Sequence, residues 1–304
     1  MDVNEDGHLD ILSGSYSRTD AQPMAGLFQV LYGREDGTFA AAEPIKDSEG
    51  EDLVLHFEGA RESEMGAFCT RPYAADWDGD GHLDLITGEF FGQMILVRGL
   101  GEGRFEDSCE SLKDVNGEFL RIPGVHSDPF IVDWDGDGDL DIVSGTGHDG
   151  IVWSENRAGE DGEPKLQPFT TLIEIGHSMA PTAIGIAEAS AEKHSTMLRA
   201  EDLTGPSGSV RIWIADVDGD GKLDILAGDQ VTLRWPAEGV SEEEAERRDA
   251  KWQEDQQKLY QELNGELSED EQMKLFDRLR EHDEKRAEHL IEKRTGTVWL
   301  YRRR

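Results

Sequence analysis

The chain has 304 residues, 37% of them apolar, with 34 glycines and a formal net charge of −36 at neutral pH. That acidity excludes nucleic acid as a partner, since phosphate contact needs a basic surface. No apolar run is long enough to span a bilayer, and this composition suits short strands joined by turns better than a helical core.

Residues Asp2 to Gly14 read DVNEDGHLDILSG. The pattern returns as DWDGDGHLDLITG from Asp76, DWDGDGDLDIVSG from Asp133 and DVDGDGKLDILAG from Asp216. Positions one, three, five and nine carry side-chain oxygens: Asp2, Asn4, Asp6 and Asp10; Asp76, Asp78, Asp80 and Asp84; Asp133, Asp135, Asp137 and Asp141; Asp216, Asp218, Asp220 and Asp224. Position seven (His8, His82, Asp139, Lys222) would add its backbone carbonyl. A hard cation such as Ca²⁺ takes about six to eight oxygens at flexible geometry. Glycine at positions four and six gives the backbone the turn that aims alternate carboxylates inward. Each copy therefore predicts a calcium loop that feeds directly into a strand. A helical EF-hand would need Glu at position twelve, where this chain has Ser13, Thr87, Ser144 and Ala227. Copy one departs most, with Asn4 removing a charge and Glu5 replacing the first glycine, so it is expected to bind weakest.

After each loop the chain reads as an antiparallel meander. Copy one gives strands over Leu9 to Ser15, Gly26 to Tyr32 and Phe39 to Ile45. Copy two gives Leu83 to Glu89, Gly92 to Val97 and Phe105 to Leu112. Copy three gives Leu140 to Thr146, Gly150 to Trp153 and Leu166 to Ile173. Asp36-Gly37, Glu102-Gly103 and Asp161-Gly162 mark turns between third and fourth strands. Short strands rich in β-branched or aromatic residues precede three loops: Arg71 to Ala75, Asp128 to Val132 and Val210 to Ala215. Copy four resumes with Leu223 to Gly228, but its third strand, Gly296 to Tyr301, comes late. The distance from first Asp to that opening glycine is 24, 16 and 17 residues in copies one to three, and 80 in copy four.

Something of about sixty residues is thus inserted in the last repeat. Ser241 with Glu244 forms a capping box, Asn264-Gly265 breaks the helix, and Ser268 with Glu271 starts another. Ala245, Trp252 and Leu259 recur at sevens on the first arm; Met273, Phe276, Ala287 and Leu290 are read as the seam of the second. The expectation is a helical hairpin, open to being a solvated decoration or a docking or dimer element. The expected organisation is residues 1–240 as repeats with calcium loops, 241–294 as hairpin, and 295–304 as the final strand.

The four loops resemble the FG-GAP or VCBS-type repeat of the integrin α-subunit propeller and its bacterial relatives. The resemblance implies an all-β fold, a β-propeller of four-stranded antiparallel blades with the α-helical hairpin inserted. It further implies calcium as cofactor and a ligand, protein or carbohydrate, met on the face opposite the calcium loops. Meander geometry puts the hairpin and the segments Lys46 to Thr70 and Gly176 to Ser209 on that second face. His126, His148, His177, His194, Glu89, Arg71 and Asp229 belong there too. The function expected is that of an extracellular, periplasmic or cell-surface binding or adhesion module. The alternative is an enzyme on the same scaffold, such as a polysaccharide lyase or hydrolase, and fold alone does not choose. Cys69 and Cys109, the only cysteines, are open to pairing or to two free thiols. Met1 stands one residue before Asp2 and copy one lacks a preceding strand, so the sequence reads as an N-terminally incomplete form of an exported protein.

Overall fold

A computed structural model describes residues 1–16, 26–58, 69–158, 164–176, 197–263 and 268–304. The turns expected at Asp161-Gly162 and Asn264-Gly265, and His177 and His194, lie outside them. The chain divides into two units. Unit one comprises Met1–Ile175, Gly208–Asp229 and Val298–Arg304; unit two comprises Gly176–Ser207 and Gln230–Thr297.

Four antiparallel sheets follow one another along the chain. The first holds β1 (Ile11–Gly14), β2 (Phe28–Leu31) and β3 (Glu43–Pro44) in that order. The second runs β4 (Arg71–Ala75), β5 (Asp84–Gly88), β6 (Met94–Val97) and β7 (Glu110–Ser111). The third runs β8 (Asp128–Val132), β9 (Asp141–Gly145), β10 (Ile151–Ser154) and β11 (Thr170–Ile173). The fourth holds β12 (Gly208–Ala215), β13 (Asp224–Pro236) and β14 (Leu290–Tyr301). Strands β4, β8 and β12 are neighbours across successive sheets. This is a mostly β fold of the propeller type with a helical insert.

Apolar residues fill both faces of the middle strands of the second and third sheets, because each of these sheets is packed between two others. In β5, Leu85 enters one core with Phe28, Val30 and Ile95, while Ile86 enters the next with Met94, Ile142 and Val152. A third core gathers Phe130, Val143, Ile151, Val210 and Ile225. Truncating such a fully buried residue, as in Ile86→Ala, costs about 2–5 kcal/mol. Leu53 and Leu55, in a segment expected to be a surface loop, are buried in the first core.

Neighbouring sheets meet at position thirteen of the first three loops. A Cβ on Gly14, Gly88 or Gly145 would lie 1.9, 2.1 and 2.4 Å from Thr70, Ser127 and Val210, at or near the start of the next first strand. The residue before each of these is left-handed although none is glycine: Cys69 (φ 54°), His126 (φ 61°) and Ser209 (φ 50°). Each donates its N–H to the preceding sheet, at Tyr16, Phe90 and Gly147 carbonyls, over 2.7–2.8 Å. Both cysteines are free. Cys69 lies 3.5 Å from His126 Nδ1, and Cys109 donates to the His56 carbonyl at 3.3 Å.

Unit two carries helices α1 (Glu242–Leu263) and α2 (Glu269–Arg286). The Ser268–Glu271 capping box forms, and Glu244 N–H donates to Ser241 Oγ at 3.3 Å. Ala245, Trp252 and Leu259 are buried as their spacing predicts, but the α2 seam is Leu275 and Leu279. Met273 (64%) and Phe276 (55%) face solvent and Ala287 is exposed, so that seam was misread by one helical face. Leu290 opens β14 instead of closing a helix, and β13 runs on to Pro236. The longer strands pair up to Ala237, whose N–H reaches the His289 carbonyl at 3.1 Å. Inside the hairpin, buried Asp249 accepts from Arg286 Nε at 2.7 Å, and the Arg286 guanidinium lies 4.2 Å over Trp252.

Candidate metal centres

Each loop is wound by its own carboxylates. The position-one Asp accepts the N–H of the glycine at position six: Gly7 to Asp2 at 2.8 Å, Gly81 to Asp76 at 3.1 Å, Gly138 to Asp133 at 3.1 Å and Gly221 to Asp216 at 2.9 Å. The position-five Asp accepts the N–H of position seven, at 2.9, 2.8, 3.0 and 2.9 Å in copies one to four. Position four is left-handed throughout, as Gly79, Gly136 and Gly219 and, in copy one, as Glu5 with φ 61°. A side chain in that conformation costs about 1–2 kcal/mol that glycine avoids. Glu5 Oε1 lies 2.8 Å from His82 Nδ1, which raises the His82 pKa.

Position nine has a second task that the spacing did not reveal. Asp10, Asp84, Asp141 and Asp224 are buried. One oxygen of each accepts the N–H of position two: Val3, Trp77, Trp134 and Val217, at 2.8–3.2 Å. The other accepts the N–H just beyond the third strand: Gly33, Gly99, Asn156 and Arg303, at 2.7–3.1 Å. The carboxylate thus ties the loop to its own sheet. The signal was an Asp flanked by apolar residues at the mouth of a buried strand. Burial pushes Asp141 up to about 6 and raises Asp84.

Among the described residues, three sets of carboxylate oxygens converge, each within 4.8 Å of one another: Asp76, Asp78 and Asp80; Asp133, Asp135 and Asp141; Asp216, Asp218 and Asp224. These clusters can hold a metal ion. Asp84, Asp137 and Asp220 lie outside their sets, and Asp2, Asp6 and Asp10 form none. Asp76 Oδ1 is buried with no hydrogen-bond partner. An orphaned anionic oxygen beside two further carboxylates fits a cation, since burying it unpaired is costly. Asp135 is raised by burial first and then by the Asp137 charge, a repulsion that a cation would relieve.

The residue one past the third strand differs among copies. Arg98 pairs with Asp78 at 2.7 Å, and Arg302 lies 3.6 Å from Asp218. Glu155 instead adds its negative charge beside Asp135. Among the described residues no helix is long and apolar enough to cross a membrane.

A family model described as FG-GAP-like repeat matches residues 2–87 and 76–144, which hold copies one to three. No curated protein matches the chain. Among solved structures, an Agrocybe aegerita lectin, described as recognising non-reducing terminal N-acetylglucosamine, is 20% identical with a TM-score of 0.33. The match covers 73% of this chain and 47% of the lectin, so the chain spans about half that protein's length.

Proposed function

We propose, from the premise that this chain is an FG-GAP-type repeat protein, that it is a calcium-held propeller serving as a binding or adhesion module outside the cytoplasm. The observation that carries the reading is one loop geometry in four copies, with carboxylates converging in three. The ligands are the side chains at positions one, three, five and nine with the carbonyl at seven, for every copy named above. Ca²⁺ bound there supplies charge neutralisation and no chemistry. The residues do the rest: position nine joins the loop to its sheet, and the apolar run after it packs into two cores. Metal binding is therefore coupled to folding. A soluble, strongly acidic surface and calcium loops of ordinary affinity suit a calcium-rich compartment, hence export.

Calorimetric titration with calcium, paired with thermal melts, tests this. Saturable uptake and a marked fall in Tm on chelation are expected. No uptake at millimolar calcium would overturn the reading.

A further inference from the structure

The first strands β4, β8 and β12 place equivalent residues side by side. Five residues before each loop stand Arg71, Asp128 and Arg211; three before stand Tyr73, Phe130 and Trp213. Residues two apart on a strand point the same way, about 6.5–6.8 Å along it. The contacts bear this out. Arg71 Nε and Arg211 Nε lie 3.9 and 3.7 Å from the same Asp128 Oδ1. Tyr73 and Phe130 rings are 4.7 Å apart, and Phe130 and Trp213 rings 5.4 Å. Two layers result, one of charge and one of aromatic rings.

The charged layer is unbalanced. Two guanidiniums share one carboxylate, beyond hydrogen-bond range of it, and Arg71 Nε is buried with no hydrogen-bond partner. Among the described residues, Arg211 donates to the Val210 carbonyl, at 2.9 Å. Asp128 already accepts from Ile212 N–H at 3.2 Å. A buried guanidinium nitrogen of this layer therefore has no hydrogen-bond partner among the described residues, in a protein that is elsewhere strongly acidic. Planar guanidinium donors match a carboxylate in a two-pronged fashion. In the second layer Trp213 is 61% exposed, an unusual position for the largest side chain of a strand.

We infer that this pair of layers is a binding site for an acidic glycan, a uronate carboxylate meeting Arg71 and Arg211 while the apolar face of its ring lies on Trp213. The layer spacing is close to the size of one sugar ring, and the positive charge selects a carboxylate over a neutral sugar. This deepens the binding-module reading and rests on it, but it does not depend on the calcium loops.

The test uses the full chain in saturating calcium, with tryptophan fluorescence and calorimetry. The probes are a hyaluronan tetrasaccharide, its carboxyl-reduced counterpart and a glutamate-rich peptide. The expected result is binding of the tetrasaccharide with a change in Trp213 emission. Carboxyl reduction, Arg71→Gln and Trp213→Ala should each weaken it roughly tenfold or more. Circular dichroism confirms that the variants fold, and Arg211→Lys replaces Arg71→Gln if that variant does not. Equal binding of the reduced sugar, tighter binding of the peptide, unchanged affinity in folded variants, or no binding of the tetrasaccharide overturns the proposal. Calcium uptake measured in the same samples shows whether the broader reading has failed with it.

Discussion

Arg98 and Glu155 occupy the same place in successive repeats and carry opposite charges toward the position-three carboxylate. In copy two the guanidinium already neutralises Asp78 at 2.7 Å, so a cation must compete with it; in copy three the nearby Arg157 is held by Glu155 at 2.5 Å, so competition for Asp135 is weaker. Copy three should therefore fill first. Partly exposed pairs of this kind are worth about 0.2–1 kcal/mol. Arg98→Ala should accordingly tighten copy two by a few-fold, and Glu155→Arg should weaken copy three. Trp77 and Trp134, each within its own loop, make sensitised terbium luminescence the measurement. His126 gives a pH prediction. Burial, and then Arg211 and Arg71, lower its pKa from 6.5 to about 4. Between those values the unfolded chain binds the proton and the folded chain does not, so stability is lost as pH falls from about 6.5 toward 4. The variant His126→Asn, which tolerates the left-handed backbone, should show a smaller fall in Tm between pH 7 and 5 than the parent. The ligand spacing of the loops was legible residue by residue. The roles of Arg98, Glu155 and Arg303 were not, because they depend on which strand ends face which loop.

At the scale of elements, the recurring glycine at position thirteen divides into two cases. Added Cβ atoms at Gly88 and Gly145 would collide with the next sheet, whereas at Gly228 the closest atom is the Arg211 carbonyl at 4.0 Å. Gly145→Ala should cost about 1–3 kcal/mol or more by overpacking, and Gly228→Ala should be close to neutral, as denaturant melts would show. The hairpin gives the other prediction. Because Ala237 N–H meets the His289 carbonyl, replacing residues 238–288 with a two-residue turn should leave a protein that still unfolds cooperatively and takes up calcium. Loss of soluble protein would make the hairpin part of the fold. The inner strands β5, β6 and β9 were readable because both their faces are buried, which leaves unbroken apolar runs such as Met94-Ile-Leu-Val97. The second helix was misread for a physical reason. Its seam is set by the partner helix, and on a sequence rich in both charges Met273 and Phe276 look as apolar as Leu275 and Leu279.

For the whole molecule, four bound Ca²⁺ would bring the formal charge from −36 to about −28. A site held at about a hundred times its dissociation constant adds ~2.7 kcal/mol, large against a typical net stability of about 5–15 kcal/mol. The three cores have a mechanical consequence as well. Each lies between two consecutive sheets, so a lone repeat has nothing to bury against and becomes structured only when its neighbour is present. A chain drawn out by its ends would then yield in a succession of force peaks, one repeat peeling from the next. A tether bearing load would lengthen in steps long before it parted.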